Sequence, residues 1–319
     1  MRHSLPLLLI LIAGGCRTPA PPATALRPFL ETAAVTDDAD DPAVWVHPTD
    51  PSRTLILGTN KAPAPTGALV VFSLQGKILQ TITGLDRPNN VDVRDNLAVV
   101  AERYQNRLRV FRIDPATGKL TDVTASGGTQ VKEAPMGVGI YKRPSDGVLF
   151  AIVAPKTGPA DGYLGQYRLD TTPEGTVRAT LVRSFGRFSG KGEIEAVAVD
   201  DAPGFVYYAD ELSGIRKYHA DPDHPDAARE LAHFATSGFQ GDREGIAILV
   251  NPDGTGAIVC SDQIPNATRL HLFSRQDPTR SLGILTTSAD STDGLEAGPG
   301  FLVLMNSKGK NFQLYRMPK

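Results

Sequence analysis

The stretch from residue 205 to residue 220 reads FVYYADELSGIRKYHA, in which an apolar run ends in two acidic residues and a strand with an aromatic residue follows. The same arrangement occurs six times along the 319-residue chain. The six apolar runs are LILGTNK (55–61), LAVVAER (97–103), FAIVAPK (150–156), FVYYADE (205–211), AIVCSDQ (257–263) and LVLMNSK (302–308). The sequence is therefore a six-fold repeat.

The aromatic residue after each apolar run shows the length of the repeat. These residues are Phe72, Phe111, Tyr167, Tyr218, Phe273 and Tyr315, with successive steps of 39, 56, 51, 55 and 42 residues. Repeats of roughly 40–50 residues are typical of propeller blades. A third series of short strands precedes the runs: DPAVWV, NNVDV, MGVGIY, IEAVAV, REGIAI and DGLEA. Such small antiparallel sheets bury both faces only against neighbouring repeats, so the sequence predicts an all-β, six-bladed β-propeller with a central channel over residues 29–319.

The overall charge does not indicate a nucleic-acid or membrane-surface partner. The 33 basic and 35 acidic residues give a formal net charge of -2. A balanced charge provides no field that would attract nucleic acid or an anionic membrane surface. We therefore expect the protein to bind no nucleic acid, and we separately expect a monomer.

The first 16 residues, MRHSLPLLLILIAGGC, have the features of an export signal. A basic start precedes an apolar stretch from Leu5 to Ala13, and small residues precede Cys16. This ending resembles the lipobox of bacterial lipoproteins, in which Cys16 would be lipidated and would provide the single membrane contact. The alternative is cleavage to a fully soluble, secreted protein. Residues 17–28 are rich in Pro, Ala and Thr and are interpreted as a tether. The predicted location is the outer membrane or periplasm, or outside the cell.

Charged residues recur where the apolar runs end, and these ends are expected to meet at one mouth of the channel. Four runs end in a cation and two end in acidic or polar pairs: Lys61, Arg103, Lys156, Lys308, Asp210 with Glu211, and Asp262 with Gln263. The inner strands add further carboxylates: Asp40, Asp41, Glu195, Asp242, Glu244, Asp293 and Glu296. The sequence thus predicts one basic rim and one acidic rim around the mouth.

A set of converging carboxylates needs positive charge to offset its repulsion. Hard divalent cations accept several oxygen ligands, and calcium fits this donor set best. Zinc or copper would favour His or Cys, and the six histidines show no paired ligand spacing such as HExxH. The sequence therefore predicts several Ca²⁺ ions held by residues from different blades.

An ordered series of motifs resembles the β-propeller phytases. The motifs are DDADDPAVWVHP (37–48), TNK (59–61), NNVDVR (89–94), IEAVAVDD (194–201), YADELSGIRKY (208–218), DREGIAI (242–248) and STDGLE (291–296). The resemblance implies a calcium-dependent hydrolase that removes phosphate from phytate, myo-inositol hexakisphosphate. The chain departs from the family pattern at Ala62, where a second lysine is usual, and at Met136, where a tyrosine is usual.

The resemblance and the ring pattern together define the predicted site residues. The predicted metal ligands are Asp40, Asp41, Pro42, Glu195, Asp210, Glu211, Asp242, Glu244, Asp262 and Asp293. The predicted catalytic residues are Asp40, Asp41, Glu195, Asp210 and Glu211. The predicted phosphate-binding residues are Lys61, Arg103, Lys156 and Lys308. A metal-activated water would attack phosphorus directly. Two alternatives stay open: a calcium-dependent propeller lactonase or esterase, and a non-catalytic lipoprotein scaffold.

Overall fold

Residues 25–317, the part of the chain that the computed structural model describes, form six antiparallel sheets of four strands each. The innermost strand of every sheet contributes residues to a central cavity of about 350 Å³. The predicted six-bladed β-propeller is confirmed. The predicted export signal, Cys16 and most of the predicted tether lie outside the described residues.

The strands are numbered in chain order, beginning with β1 (Leu30–Glu31). The first blade consists of β2 (Ala39–Trp45), β3 (Leu55–Asn60), β4 (Gly67–Ser73) and β5 (Ile78–Leu85). The second consists of β6 (Pro88–Arg94), β7 (Leu97–Glu102), β8 (Arg107–Ile113) and β9 (Leu120–Asp122). The third consists of β10 (Pro135–Lys142), β11 (Leu149–Pro155), β12 (Asp161–Thr171) and β13 (Val177–Arg187).

The remaining blades follow the same order. The fourth consists of β14 (Val197–Asp200), β15 (Phe205–Asp210), β16 (Gly214–His219) and β17 (Ala232–Phe234). The fifth consists of β18 (Asp242–Val250), β19 (Gly256–Ile264), β20 (Ala267–Ser274) and β21 (Ser281–Thr287). The sixth consists of β22 (Leu295–Gly298), β23 (Phe301–Asn306), β24 (Asn311–Arg316) and β1. Two short 3₁₀ helices are Pro51–Arg53 and Arg103–Gln105.

Apolar clusters between neighbouring blades hold the ring together. Successive residues of a strand point to opposite faces of its sheet. In β3, Ile56 packs with Phe312 of the sixth blade, whereas Leu57 packs with Val91 of the second blade. Burying one such side chain stabilises the fold by about 1.5–3 kcal/mol. The continuous apolar runs therefore form strands that are covered on both faces.

The repeating aromatic residues confirm the predicted alignment of the blades. All six are on the third strand of their blade and are at most 7% exposed. Each pairs with the second or third residue of the preceding strand, as Phe72 pairs with Ile56 and Tyr218 with Val206. This register fixes equivalent positions around the ring, including the ends of the second strands.

The sequence pattern did not reveal the fourth strand of each blade. These outer strands have one face open to solvent, and in β5 and β21 most residues are exposed or half-buried. Without a continuous apolar run, nothing in their composition separates them from loops. The fourth strand of the sixth blade is β1, whose residue Leu30 pairs with Leu314. The N-terminal strand thus closes the ring.

Residues 25–28 of the predicted tether contact the fifth and sixth blades. The backbone N–H of Leu26 donates to Thr286 O at 2.8 Å, and Ala25 is buried. Across the described part of the chain, no helix is both long and apolar enough to span a bilayer.

Candidate functional site

Lys61, which follows β3, is surrounded by carboxylates from three blades. Its ammonium group forms an ion pair with Asp40 and lies 3.7 Å from the carboxylate of Asp293. Burial lowers the pKa of Lys61, but the charges of Asp40, Asp293 and Glu195 outweigh burial and raise the pKa above its ordinary value. The first, fourth and sixth blades therefore meet at this lysine.

Lys156, which follows β11, lies in a second group of carboxylates. Its ammonium group forms an ion pair with Glu193, in the loop before β14. The buried carboxylate of Glu211 accepts a hydrogen bond from the backbone N–H of Glu193 at 2.6 Å. Burial, with the charges of Glu193 and Asp242, raises the pKa of Glu211 to about 7. The third, fourth and fifth blades therefore meet at this second group.

Glu195 and Glu244 connect the two groups. Burial and the charge of Asp40 raise the pKa of Glu195 to about 7, although Lys61 opposes this rise. Burial and the charges of Glu195 and Glu211 raise the pKa of Glu244 well above its ordinary value. Carboxylates this close disfavour one another's ionisation. The mouth thus holds more acidic groups than its own cations neutralise.

Asp40 and Asp41, on the inner strand β2, lie in different surroundings. Both carboxylate oxygens of Asp40 are buried and accept no hydrogen bond from the described residues, and its contact with Lys61 is an ion pair outside hydrogen-bond geometry. Asp41 accepts a hydrogen bond from Val91 N–H at 2.9 Å and borders the central cavity with Pro42. Burial raises the pKa of Asp41 well above its ordinary value. Lys61 is thus the one basic group paired with the buried carboxylate of Asp40 among the described residues, and a further cation at its other oxygen would be stabilising.

Comparison with known proteins identifies the family. The model of the family described as phytase matches residues 24–314. The chain belongs to the phytase family. The 3-phytase of Bacillus subtilis (strain 168) is 29% identical to it over 283 residues, which cover 84% of this chain and 70% of that protein. Family membership makes the protein a phosphatase of the phytase type.

Two solved structures support the fold. A protein of unknown function from Desulfotomaculum acetoxidans DSM 771 has a TM-score of 0.51 and 18% identity, covering 76% of this chain and 70% of its own. A protein from Lactobacillus plantarum has a TM-score of 0.54 and 16% identity, and the match covers 90% of this chain and 82% of that protein. At these identities the similarity shows the shared propeller architecture and not a shared activity.

Asp210 and Asp262, both predicted as metal ligands, hold the loops of their own blades. Asp210 accepts hydrogen bonds from the N–H and the hydroxyl of Ser189, at 2.8 and 2.6 Å, and pairs with Arg216 at 2.9 Å. Asp262 accepts hydrogen bonds from two backbone N–H groups of the loop before β18. The equivalent residues of other blades accept loop N–H groups in the same way: Asn60, Glu102 and Asn306.

Arg103 and Lys308 occupy different positions around the mouth. Arg103 is equivalent to Lys61 and is half-buried. Counted from the aromatic residue of the sixth blade, the position equivalent to Lys61 is Ser307. Lys308 therefore lies one residue beyond the ring position and is exposed to solvent.

Opposite charges at the mouth are interleaved, so the prediction of separate basic and acidic rims is wrong. Lys61 pairs with Asp40, and Lys156 pairs with Glu193. The alignment of strands identified which blades carry cations, but it did not show that each cation turns toward a neighbouring carboxylate.

The sequence interpretation missed Glu193, which lies two residues before Glu195. The same spacing relates Asp242 to Glu244. Side chains two residues apart on an extended chain lie on the same side. This spacing is the signal that could have identified Glu193.

Proposed function

We propose that the protein is a calcium-dependent phosphatase that hydrolyses phytate by direct attack of water on phosphorus. The observation that carries this proposal is the convergence of Lys61 and Lys156 with carboxylates from four blades at one mouth of the propeller. Phytate carries several phosphates on a small ring, so one phosphate can react while cations bind its neighbours.

The side chains at the mouth fit calcium chemically. Carboxylate oxygens are the ligands that Ca²⁺ prefers, and Asp40 Oδ2, which is buried and accepts no hydrogen bond from the described residues, is such a ligand. Among residues 25–317, no three His, Cys, Asp or Glu side chains already converge as a metal site. Binding therefore requires some carboxylates to turn away from Lys61 and Lys156. The residues that would hold the ions are Asp40, Asp41, Pro42, Glu195, Glu211, Asp242, Glu244 and Asp293.

Bound Ca²⁺ would supply positive charge that lowers the pKa of water and neutralises phosphoryl oxygens. Lys61 and Lys156 are paired with carboxylates in the metal-free protein, and neutralising those carboxylates would free both ammonium groups for phosphate. Arg103 would bind a further phosphate oxygen. One oxygen of Glu211 is occupied by the backbone N–H of Glu193, so Oε1 would accept the proton of the attacking water. The new P–O bond forms as the ester P–O bond breaks, and the proton that Glu211 took from water passes to the leaving inositol oxygen, so that phosphate and an inositol hydroxyl are released.

The direct test measures phosphate release from phytate and from a simple phosphomonoester after exhaustive dialysis against chelator. We expect activity to appear on adding Ca²⁺, not to be restored by Mg²⁺, and to be higher on phytate. The melting temperature should rise with Ca²⁺ because an ion that binds only the folded state stabilises it. An equal rate and an equal melting temperature in excess chelator would overturn the calcium dependence. Calcium-loaded protein inert towards phytate would overturn the substrate.

The alternatives from the sequence make different predictions. A propeller lactonase or esterase gives no role to Arg103, so Arg103→Ala should leave its activity unchanged. A scaffold would release no phosphate from any ester. Family membership favours the phosphatase over both, and we expect Arg103→Ala to raise the KM for phytate.

We also propose that the protein is exported and anchored through a lipid on Cys16, and that it acts as a monomer. The support is the small-residue sequence before Cys16. Cys16→Ser should move the protein from the membrane fraction to the soluble fraction. An unchanged distribution would overturn the anchor.

A further inference from the structure

We propose that Arg87 is a further phosphate-binding residue, which binds a second phosphate group of the substrate between Lys61 and Arg103. This inference rests on the proposed function and extends its binding site. Arg87 lies in the loop between β5 and β6 and belongs to none of the ring positions that the sequence identified.

The backbone of Arg87 connects two of the phosphate-binding cations. Its N–H donates to the carbonyl of Ala62, the residue after Lys61, at 2.9 Å. Its carbonyl accepts a hydrogen bond from the N–H of Arg103 at 3.1 Å. Arg87 is thereby fixed between the cations of the first and second blades.

The backbone bond between Arg87 and the residue after β7 recurs in other blades: Lys61 N–H donates to Asp38 O at 2.7 Å, and Glu211 N–H donates to Glu193 O at 3.3 Å. The Glu193 side chain extends from this backbone position to the ammonium group of Lys156. Arg87 occupies the equivalent backbone position in the loop before the second blade, beside Arg103.

The side chain of Arg87 is positioned but not neutralised by a direct salt bridge within the described residues. Its Nε is buried without a hydrogen-bond partner, and its Cζ lies 5.7 Å from the centre of the Tyr104 ring. Its charge and that of Lys61 both act on the carboxyl of Asp38. A guanidinium has several donors in a planar fork that matches two phosphate oxygens, and an aromatic neighbour limits its motion.

The backbone conformation of Arg87 is unusual for a residue with a side chain. Arg87 has a φ of 55°, in the left-handed region that favours glycine and is strained for other residues. The equivalent residue of the third blade, Ala134, has a φ of 49°, and its carbonyl accepts a hydrogen bond from Lys156 N–H at 2.8 Å, so the loop imposes this conformation. Glycine would adopt it with less strain.

The conformation also provides a sharp test, because Arg87→Gly removes the side chain without disturbing the backbone. We expect the melting temperature with Ca²⁺ to be unchanged or higher. The KM for phytate should rise about tenfold, the usual effect of losing a hydrogen-bonded charge. The KM for a simple phosphomonoester, which has no second phosphate, should change less than threefold. Arg87→Lys should give an intermediate KM.

The matched control is Arg112→Ala, which removes an exposed arginine from β8 of the same blade and should leave both KM values unchanged. If the wild-type protein is active and its KM for phytate equals that of Arg87→Gly, the role of Arg87 is overturned, whereas the proposed function is not. Equal losses on phytate and on the monoester would also overturn it, because no second phosphate would then be involved. Wild-type protein that releases no phosphate from phytate would overturn the proposed function itself.

Discussion

Aspartates at the mouth serve two purposes that their sequence positions do not distinguish. The buried carboxylate of Asp40 has an ion pair with Lys61 but accepts no hydrogen bond from the described residues, whereas Asp210 is fully occupied by Ser189 and Arg216. An alignment of strand ends places both residues near the mouth, but it does not show which oxygens already have partners. The sequence could therefore predict the acidic character of the site, and the structure was needed to separate loop anchors from groups open to a cation.

Replacing Asp210 tests this distinction. Asp210→Ala leaves the buried Arg216 with Glu230 as its remaining acidic partner and leaves the backbone N–H of Ser189 without its acceptor. Removing one partner of a buried ion pair lowers the free energy of unfolding by about 3–5 kcal/mol. We expect this loss in urea unfolding, whereas kcat for phytate, measured well below the melting temperature, should stay within a few-fold of wild type.

The control is Asp223→Ala, which removes an exposed partner of Arg143 and should change the free energy of unfolding by less than about 1 kcal/mol. If Asp210→Ala kept its stability and lost its activity, Asp210 would instead belong to the catalytic group.

The strands that could be predicted from the sequence are those that are buried on both faces. The inner three strands of each blade have apolar residues toward both neighbouring blades, and this pattern is visible in the sequence. The outer strands lack it. Closure of the ring is also hard to predict, because β1 contains two residues and pairs with a strand 280 residues later in the chain.

Closure by β1 predicts a stability effect of N-terminal truncation. Phe29 packs edge-on against Phe301, Leu30 pairs with Leu314, and the hydroxyl of Thr32 accepts a hydrogen bond from Phe312 N–H. A chain beginning at residue 34 loses these contacts and exposes the edge of β24, which favours aggregation. We expect its melting temperature to fall by about 5–10 °C in a thermal scan.

A chain beginning at residue 25 retains β1 and is the matched comparison. It should melt like the full-length protein. Identical melting of the chain beginning at residue 34 would show that the sixth blade is stable without its outer strand.

At the scale of the whole molecule, the near-neutral net charge conceals a strongly acidic interior. Glu195 and Glu211 have pKa values raised to about 7, and Glu296, lining the central cavity, has a pKa raised to about 8, in each case first by burial. In the unfolded chain, glutamate has its ordinary pKa near 4.5. Between these values the metal-free folded protein binds more protons than the unfolded chain. The free energy of unfolding therefore falls as pH rises, by up to about 1.4 kcal/mol per pH unit for each group.

The clearest window for this prediction is pH 7.5 to 8.5, where Glu296 contributes most of the change. Three histidines have pKa values lowered by burial and would oppose the decrease near pH 6.5, where they are still partly protonated in the unfolded chain, but above pH 7.5 they are almost entirely neutral in both states: His219, His233 and His271. Urea unfolding in chelator should show stability decreasing across this window, and Glu296→Gln should flatten the decrease near pH 8. Saturating Ca²⁺ should also flatten it, because ions held by ionised carboxylates bind more tightly as pH rises. Protein in chelator that becomes more stable from pH 7.5 to 8.5 would contradict the raised pKa of Glu296, since ionising this buried carboxyl would then favour the folded state.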